Sequence, residues 1–331
     1  MNIALFGTNH LQFDKVFSKE VLEKLKSFGE ISGMIRKKNL EENRDFLKDC
    51  EFAFGTWGMP KFSKEEIREY MPKLKAVFYA AGTVQYFAKP FLECGVRVFS
   101  AAAANAVPVS EYTFAQISLA AKGYFQSAKR YRLLPLSSLA FANAADGNFK
   151  IKVGLVGLGA IGRMVAEKLQ SLDVQVYAYD PFVSQQTAEK LSVKLVDLDT
   201  LFSECDVISN HLANKPELKN VFNYNLFKKM KKHSTFINTG RGAQVNEYAL
   251  ALTLILHPSR TAVIDVLKSE FFPYVSPLFW CHNAVITPHI AGSTGKEPQR
   301  MACYMIDEFR RILDGLPAQY EVTAEKLKTM A

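Results

Sequence analysis

The strongest chemical signal is the stretch Gly157-Leu158-Gly159-Ala160-Ile161-Gly162, which follows Lys152–Val156 and opens the segment Arg163–Leu169. Three glycines at this spacing, after an apolar strand and before an amphipathic helix, suit a dinucleotide. Gly157 permits the tight turn, Gly159 lets the backbone approach a pyrophosphate, and Gly162 lets helix and strand pack closely. The pyrophosphate then rests on the positive helix N-terminus, at Ala160 and Ile161. Asp180 ends the next strand pattern, Val174–Tyr179, and lies 18 residues beyond Gly162 (180 − 162). A carboxylate there accepts hydrogen bonds from ribose hydroxyls and repels a 2′-phosphate. Pro181 and Phe182 follow it rather than an arginine, which favours NAD over NADP. The bland alternative is a structural glycine turn with no ligand. Gly7 follows the first strand alone, so a second dinucleotide site is not expected.

Strand and helix patterns alternate from the first residue, which predicts parallel sheets with helices on both faces. Strand candidates are Ile3–Phe6, Phe52–Phe54, Val77–Tyr79 and Val96–Phe99, with helical stretches such as Ser18–Phe28 and Lys64–Met71 between them. A long helical pattern spans Val109–Tyr131, and a Pro/Gly-punctuated crossing runs from Leu133 to Asn148. The second series comprises Lys152–Val156, Val174–Tyr179, Val207–His211, Thr235–Asn238, Thr261–Val266 and Ala284–Thr287, then a helix over Pro298–Leu313. The pattern predicts an α/β protein with two doubly wound domains: a Rossmann NAD-binding domain, residues 105–296, inserted into a split flavodoxin-like substrate domain, residues 1–104 and 297–331. A cleft is expected between them.

At 331 residues the chain is too long for one core and suits two domains. No apolar run approaches the roughly 20 residues that span a bilayer. The start, Met1–Gly7, reads as a strand with no basic leader. Five scattered cysteines without a Cys-x-x-Cys pair fit free thiols and a cytoplasmic location. The net charge of +8 is dispersed; its densest run, Lys228–Lys232, complements a predicted helix C-terminus. Nucleic acid and membrane are therefore not expected partners, whereas a small anionic molecule is. Cys281, His282 and His289 lack a familiar zinc spacing, so no metal is expected.

Four further motifs occur in order, each at or just beyond a predicted strand end: Asn238-Thr-Gly-Arg-Gly242, Asp265-Val266, Glu270 and Pro288-His-Ile-Ala-Gly292. With the glycine turn they resemble the D-isomer-specific 2-hydroxyacid dehydrogenases, relatives of glycerate, phosphoglycerate and D-lactate dehydrogenases. The resemblance runs from about residue 50 to the C-terminus and is strongest over 150–295. It implies Arg241, Glu270 and His289 as catalytic residues. Asp265 matches the aspartate facing the nicotinamide carboxamide, and His211, Thr239 and Gly292 match positions lining the cofactor. It also implies subunits paired as homodimers through the NAD-binding domain.

Those residue types suit the reduction of a 2-keto acid, which needs a hydride at C2, a proton at the carbonyl oxygen and a clamp for the carboxylate. Histidine can serve as acid in one direction and base in the other. A glutamate hydrogen-bonded to the imidazole stabilises its protonated form and fixes the tautomer. The planar fork of Arg241 can grip carboxylate and carbonyl oxygens together. Each has a structural alternative: an ion-pair partner for Arg241, a turn histidine for His289, a strand-end cap for Asp265. Glu270 departs from the family habit, being followed by Phe271 rather than proline.

The expected carboxylate loop is Ala80–Val84, with Ala81, Gly82 and Thr83 offering backbone N–H groups. It lacks the family's second glycine and Asp-Asn pair, carrying Gln85-Tyr86-Phe87 instead. Trp57, in the loop Phe54–Pro60, either walls the substrate pocket or anchors that loop. The expected reaction is hydride transfer between NAD(H) and a small 2-keto acid of the hydroxypyruvate, glyoxylate or glycerate type. The rival from another class is a non-catalytic NAD(H)-sensing protein on the same fold. A formate dehydrogenase, whose family usually carries glutamine at the Glu270 position, is the rival chemistry.

Overall fold

Short apolar runs bounded by glycine or polar residues form the strands of both halves. In the computed structural model, which describes residues 1–132 and 134–329, the chain divides into Met1–Ala106 with Ser293–Ala331 and a second unit, Val107–Gly292, between them. Leu133, where the crossing was expected to begin, lies outside the described residues, as do Met330 and Ala331.

The first unit holds β1 (Asn2–Phe6), β2 (Glu30–Ile35), β3 (Cys50–Gly55), β4 (Ala76–Tyr79) and β5 (Arg97–Ser100). They form one sheet in the order β2-β1-β3-β4-β5, with every pair parallel. This is the flavodoxin-like order. Helix Pro298–Leu313 belongs to the same unit, so the chain returns to the first sheet after completing the second. Phe309 on that helix is fully buried. Its ring centroid lies 5.2 Å from Phe28, 4.9 Å from Phe52, 5.5 Å from Phe54 and 5.2 Å from Phe78. Beyond the helix, Arg97 on β5 grips Glu321 through two 2.8 Å hydrogen bonds.

The second unit holds β6 (Phe149–Val156), β7 (Asp173–Tyr179), β8 (Val193–Leu195), β9 (Val207–Asn210), β10 (Thr235–Asn238), β11 (Thr261–Ile264) and β12 (Ala284–Ile286). Their order is β12-β11-β10-β9-β6-β7-β8, again all parallel. The order reverses between β6 and β9. Ligands of such sheets bind outside the carboxyl ends at that reversal.

Three features differ from the pattern reading. The edge strands β2 and β8 were not anticipated: Gly33 interrupts the first, and the second has only three residues. The long helix is two, Ala102–Ala121 and Tyr124–Tyr131. It starts earlier because Ala101–Asn105 consists almost wholly of alanine, the best helix former, and it breaks at Gly123, which has φ of 63°. The crossing contains a further helix, Pro135–Asn143, with proline in its first turn, where the missing N–H costs nothing.

Phe309→Ala removes the aromatic hub of the first unit. We expect a loss of about 3–5 kcal/mol of stability, measured as a shift in the urea midpoint; a loss below about 1 kcal/mol would show that the five-ring cluster repacks around the gap.

Candidate NAD and proton-transfer site

The glycine turn leaves the carboxyl end of β6 and opens helix Ala160–Leu169. Gly157 has φ of 98°, a conformation that side chains with a Cβ rarely adopt. A Cβ on Gly162 would lie 2.0 Å from the Gly157 carbonyl oxygen, whereas one on Gly159 would meet nothing within 4 Å. Gly162 is thus fixed by close packing, and Gly159 faces open space. The helix cap, Gly159, supplies no side-chain hydrogen bond, so the first-turn amides at Ala160 and Ile161 remain available to an anion. This cradle fits a pyrophosphate.

Asp180 stands just after β7 and is pinned to the turn: its Oδ2 accepts from the Leu158 amide at 2.8 Å and its Oδ1 from the Phe182 amide at 2.9 Å. A carboxylate has about four acceptor positions, so two remain for ribose hydroxyls. At the end of β9, His211 donates its amide to the Val156 carbonyl. Its ring is buried, and among the described residues neither ring nitrogen has a hydrogen-bond partner. Burial pushes this imidazole down to about 4, so it is neutral near pH 7. An orphaned neutral ring beside the glycine turn fits a cofactor-lining position.

The loop after β10 is shaped by a buried amide cluster that the sequence reading did not single out. Asn210 donates to Asn238 Oδ1 at 2.8 Å and to Gln244 Oε1 at 2.7 Å; Gln244 donates to the Ala213 carbonyl at 2.7 Å. The Gly240 amide donates to Asn238 Oδ1. Thr239 is buried and its hydroxyl is 3.2 Å from that of Thr113. Arg241 is exposed, with Nη1 donating to the Gly240 carbonyl at 2.9 Å. Most of its guanidinium N–H groups therefore face solvent. The only sequence signal for this cluster was an amide, Asn210 or Asn238, ending each of two apolar strands.

Asp265 follows β11 and is 2% exposed. Its Oδ1 accepts from the Thr287 hydroxyl at 2.6 Å and the Ile290 amide at 2.9 Å, and its Oδ2 from the Ala291 amide at 2.9 Å. Its main-chain carbonyl accepts from the His289 amide. His289 is left-handed, with φ of 54°, and its Nδ1 lies 3.0 Å from the Glu270 carboxylate; both side chains are about half exposed. Three of the Asp265 acceptor positions are thus occupied by the loop that carries His289. Gly292 ends that loop with open space at its Cβ direction.

In the first unit, the two expected substrate loops follow the adjacent strands β3 and β4. Thr56 Oγ1 donates to the Ala80 carbonyl at 3.1 Å, and the Ser100 hydroxyl donates to the Gly82 carbonyl at 2.6 Å. Ala81 is buried, Gly82 half-buried and Thr83 exposed. Trp57 packs partly buried against the core of its own unit, a contact that either of its two expected roles allows.

Gly162→Ala should therefore disturb the turn through backbone rather than a yielding side chain. We expect NADH affinity to fall at least about tenfold, read by fluorescence titration; unchanged affinity would show that the turn does not hold the pyrophosphate.

Residues 142–291 match the family model described as "D-isomer specific 2-hydroxyacid dehydrogenase, NAD binding domain". A D-3-phosphoglycerate dehydrogenase of Synechocystis sp. is 37% identical over 174 residues, which cover 53% of this chain and 31% of that protein. The chain thus matches about a third of the length of that relative. An (S)-sulfolactate dehydrogenase of Chromohalobacter salexigens is 32% identical over 224 residues, covering 67% of this chain and 71% of that protein. The fold is that of a D-isomer specific 2-hydroxyacid dehydrogenase from Lactobacillus delbrueckii ssp. bulgaricus in its NAD complexed form, with a TM-score of 0.77 at 20% identity over 98% of this chain and all of that one. With the glycine turn built as an NAD cradle and its sequence matching the family's NAD-binding domain, the chain belongs to the D-isomer-specific 2-hydroxyacid dehydrogenase family, the one its motifs resemble.

Proposed function

We propose that the protein is an NAD-dependent dehydrogenase interconverting a small 2-keto acid and the matching D-2-hydroxy acid, of the hydroxypyruvate, glyoxylate or glycerate type. The observation that carries this reading is the 3.0 Å contact between His289 Nδ1 and Glu270, at the same carboxyl edge as the glycine turn. NADH, when bound, supplies the hydride.

The chain's own residues do the rest. Glu270 accepts at Nδ1 and so leaves Nε2 to hand a proton to the carbonyl oxygen in reduction, or to take it back in oxidation. Arg241, exposed and mostly uncommitted, holds the substrate carboxylate and the oxygen on which negative charge grows. Ala81, Gly82 and Thr83 are assigned to substrate binding, a role supported by the carbonyl of Gly82 being turned to Ser100. Thr239, His211 and Asp265 are assigned to the cofactor.

The same reading includes a homodimer formed through the NAD-binding domain. Helix Glu247–Leu256 supports it: Leu250, Ala251 and Leu254 are buried while Tyr248, Leu252, Ile255 and Leu256 stay exposed. Exposed positions spaced i, i+4, i+7 and i+8 form a second apolar face on one helix, and such faces mark interaction surfaces. A cytoplasmic setting completes the proposal, supported by five free thiols.

The test follows NADH absorbance against a panel of 2-keto acids. We expect turnover by the wild type and a fall of roughly 10²–10⁴-fold for His289→Ala. Glu270→Gln replaces the carboxylate that accepts at Nδ1, so kcat should fall about tenfold or more, as for a misplaced catalytic group. A wild type that binds NADH yet reduces no 2-keto acid would overturn the proposal and favour a sensing role.

A further inference from the structure

One hydroxyl reaches the histidine loop from the helix that also brings Thr113 to Thr239. Tyr112 lies on helix Ala102–Ala121, is half-buried, and brings its Oη to 3.1 Å from Thr287 Oγ1. Thr287 Oγ1 is in turn 2.6 Å from Asp265 Oδ1. The direction of the chain follows from the donor inventory. An ionised carboxylate only accepts, so the single hydroxyl proton of Thr287 goes to Asp265 and the Thr287 oxygen accepts from Tyr112. Burial raises the Tyr112 phenol above its ordinary value, so it keeps the proton it donates.

Asp265 passes this order on. Its carboxylate takes the Ile290 and Ala291 amides, and its carbonyl takes the His289 amide. These bonds bracket His289 at a left-handed φ of 54°. A non-glycine residue there is strained and persists only where its surroundings over-determine it. Without the Tyr112 proton, the Thr287 hydroxyl can rotate away and leave Asp265 with the two amides alone.

We propose that Tyr112 is a positioning residue for the His289–Glu270 pair, acting in series through Thr287 and Asp265. The proposal rests on the dehydrogenase reading for its kinetic consequence, and on the hydrogen-bond chain for its structural one. It predicts an effect on the proton-transfer step rather than on cofactor binding, because neither Tyr112 nor Thr287 belongs to the glycine turn.

The test uses the full chain with Tyr112→Phe, Thr287→Val and the double variant, the first retaining the ring and the second the branched shape. Three quantities are read: kcat at saturating NADH and 2-keto acid, NADH Kd by fluorescence, and the His289 imidazole resonance, assigned by its absence in His289→Ala. We expect kcat to fall about tenfold in each single variant, as for a misplaced catalytic group, with NADH Kd within about twofold. The double variant should be no worse than Thr287→Val, since members of one chain are non-additive. The imidazole resonance should shift in Tyr112→Phe. An unshifted resonance with kcat retained would overturn the proposal, as would parallel losses of kcat, NADH affinity and melting temperature, which mark a merely structural hydroxyl. A wild type inactive on every keto acid would remove the dehydrogenase reading alone; the resonance would still decide the role of Tyr112.

Discussion

A carboxylate almost wholly withdrawn from water must be hydrogen-bonded or it costs several kcal/mol. Asp265, 2% exposed at the end of β11, meets that demand with the Thr287 hydroxyl and two amides of the Pro288–Gly292 segment. The same bonds that stabilise the charge therefore fix the chain after β12. His289 is held left-handed between them, and that backbone carries its ring to Glu270. Glu270 itself hangs on the loop that Asp265 begins. The buried carboxylate and the exposed His289–Glu270 pair are thus two ends of one local structure.

The parallel sheet explains why so much chemistry collects at one edge. All seven strands of the second unit run the same way, so every carboxyl end emerges on the same side. β6 delivers the glycine turn, β7 Asp180, β9 His211, β10 Arg241, β11 Asp265 and Glu270, and β12 His289. The reversal between β6 and β9 opens room for a ligand at that edge. Close packing then does the fine placement: a Cβ on Gly162 or Gly242 would collide with backbone, so both turns are held by contacts that side chains cannot relax.

Much of this was legible because it depends on local rules. The glycine spacing, the strand before it and the acid after it are short-range signals, and helix Pro298–Leu313 was read with its observed bounds from its apolar period alone. The residues Arg241, Glu270 and His289 were legible through family motifs rather than through any property of the residues themselves. What escaped depends on distant partners. Asn210, Gln244 and Tyr112 are ordinary polar residues until the fold sets Asn210 against Gln244, 34 positions away, and Tyr112 against Thr287, 175 positions away. The strands β2 and β8 escaped because Gly33 breaks the apolar run of the first and the second has only three residues. Asp265 was expected as a cofactor contact; what its environment shows is three side-chain bonds to the chain itself.

The central claim is that one edge of the second sheet joins an NAD cradle to a group that delivers a proton to a keto oxygen. Isotope transfer tests this most directly. The protein would be incubated with NADH deuterated at both C4 positions and the 2-keto acids, and the product examined by NMR and chiral chromatography. The account predicts deuterium at C2 of a D-2-hydroxy acid, with unlabelled solvent supplying the hydroxyl proton. No deuterium in any 2-hydroxy acid while NADH remains bound, or a label that appears in the L-isomer, would contradict it.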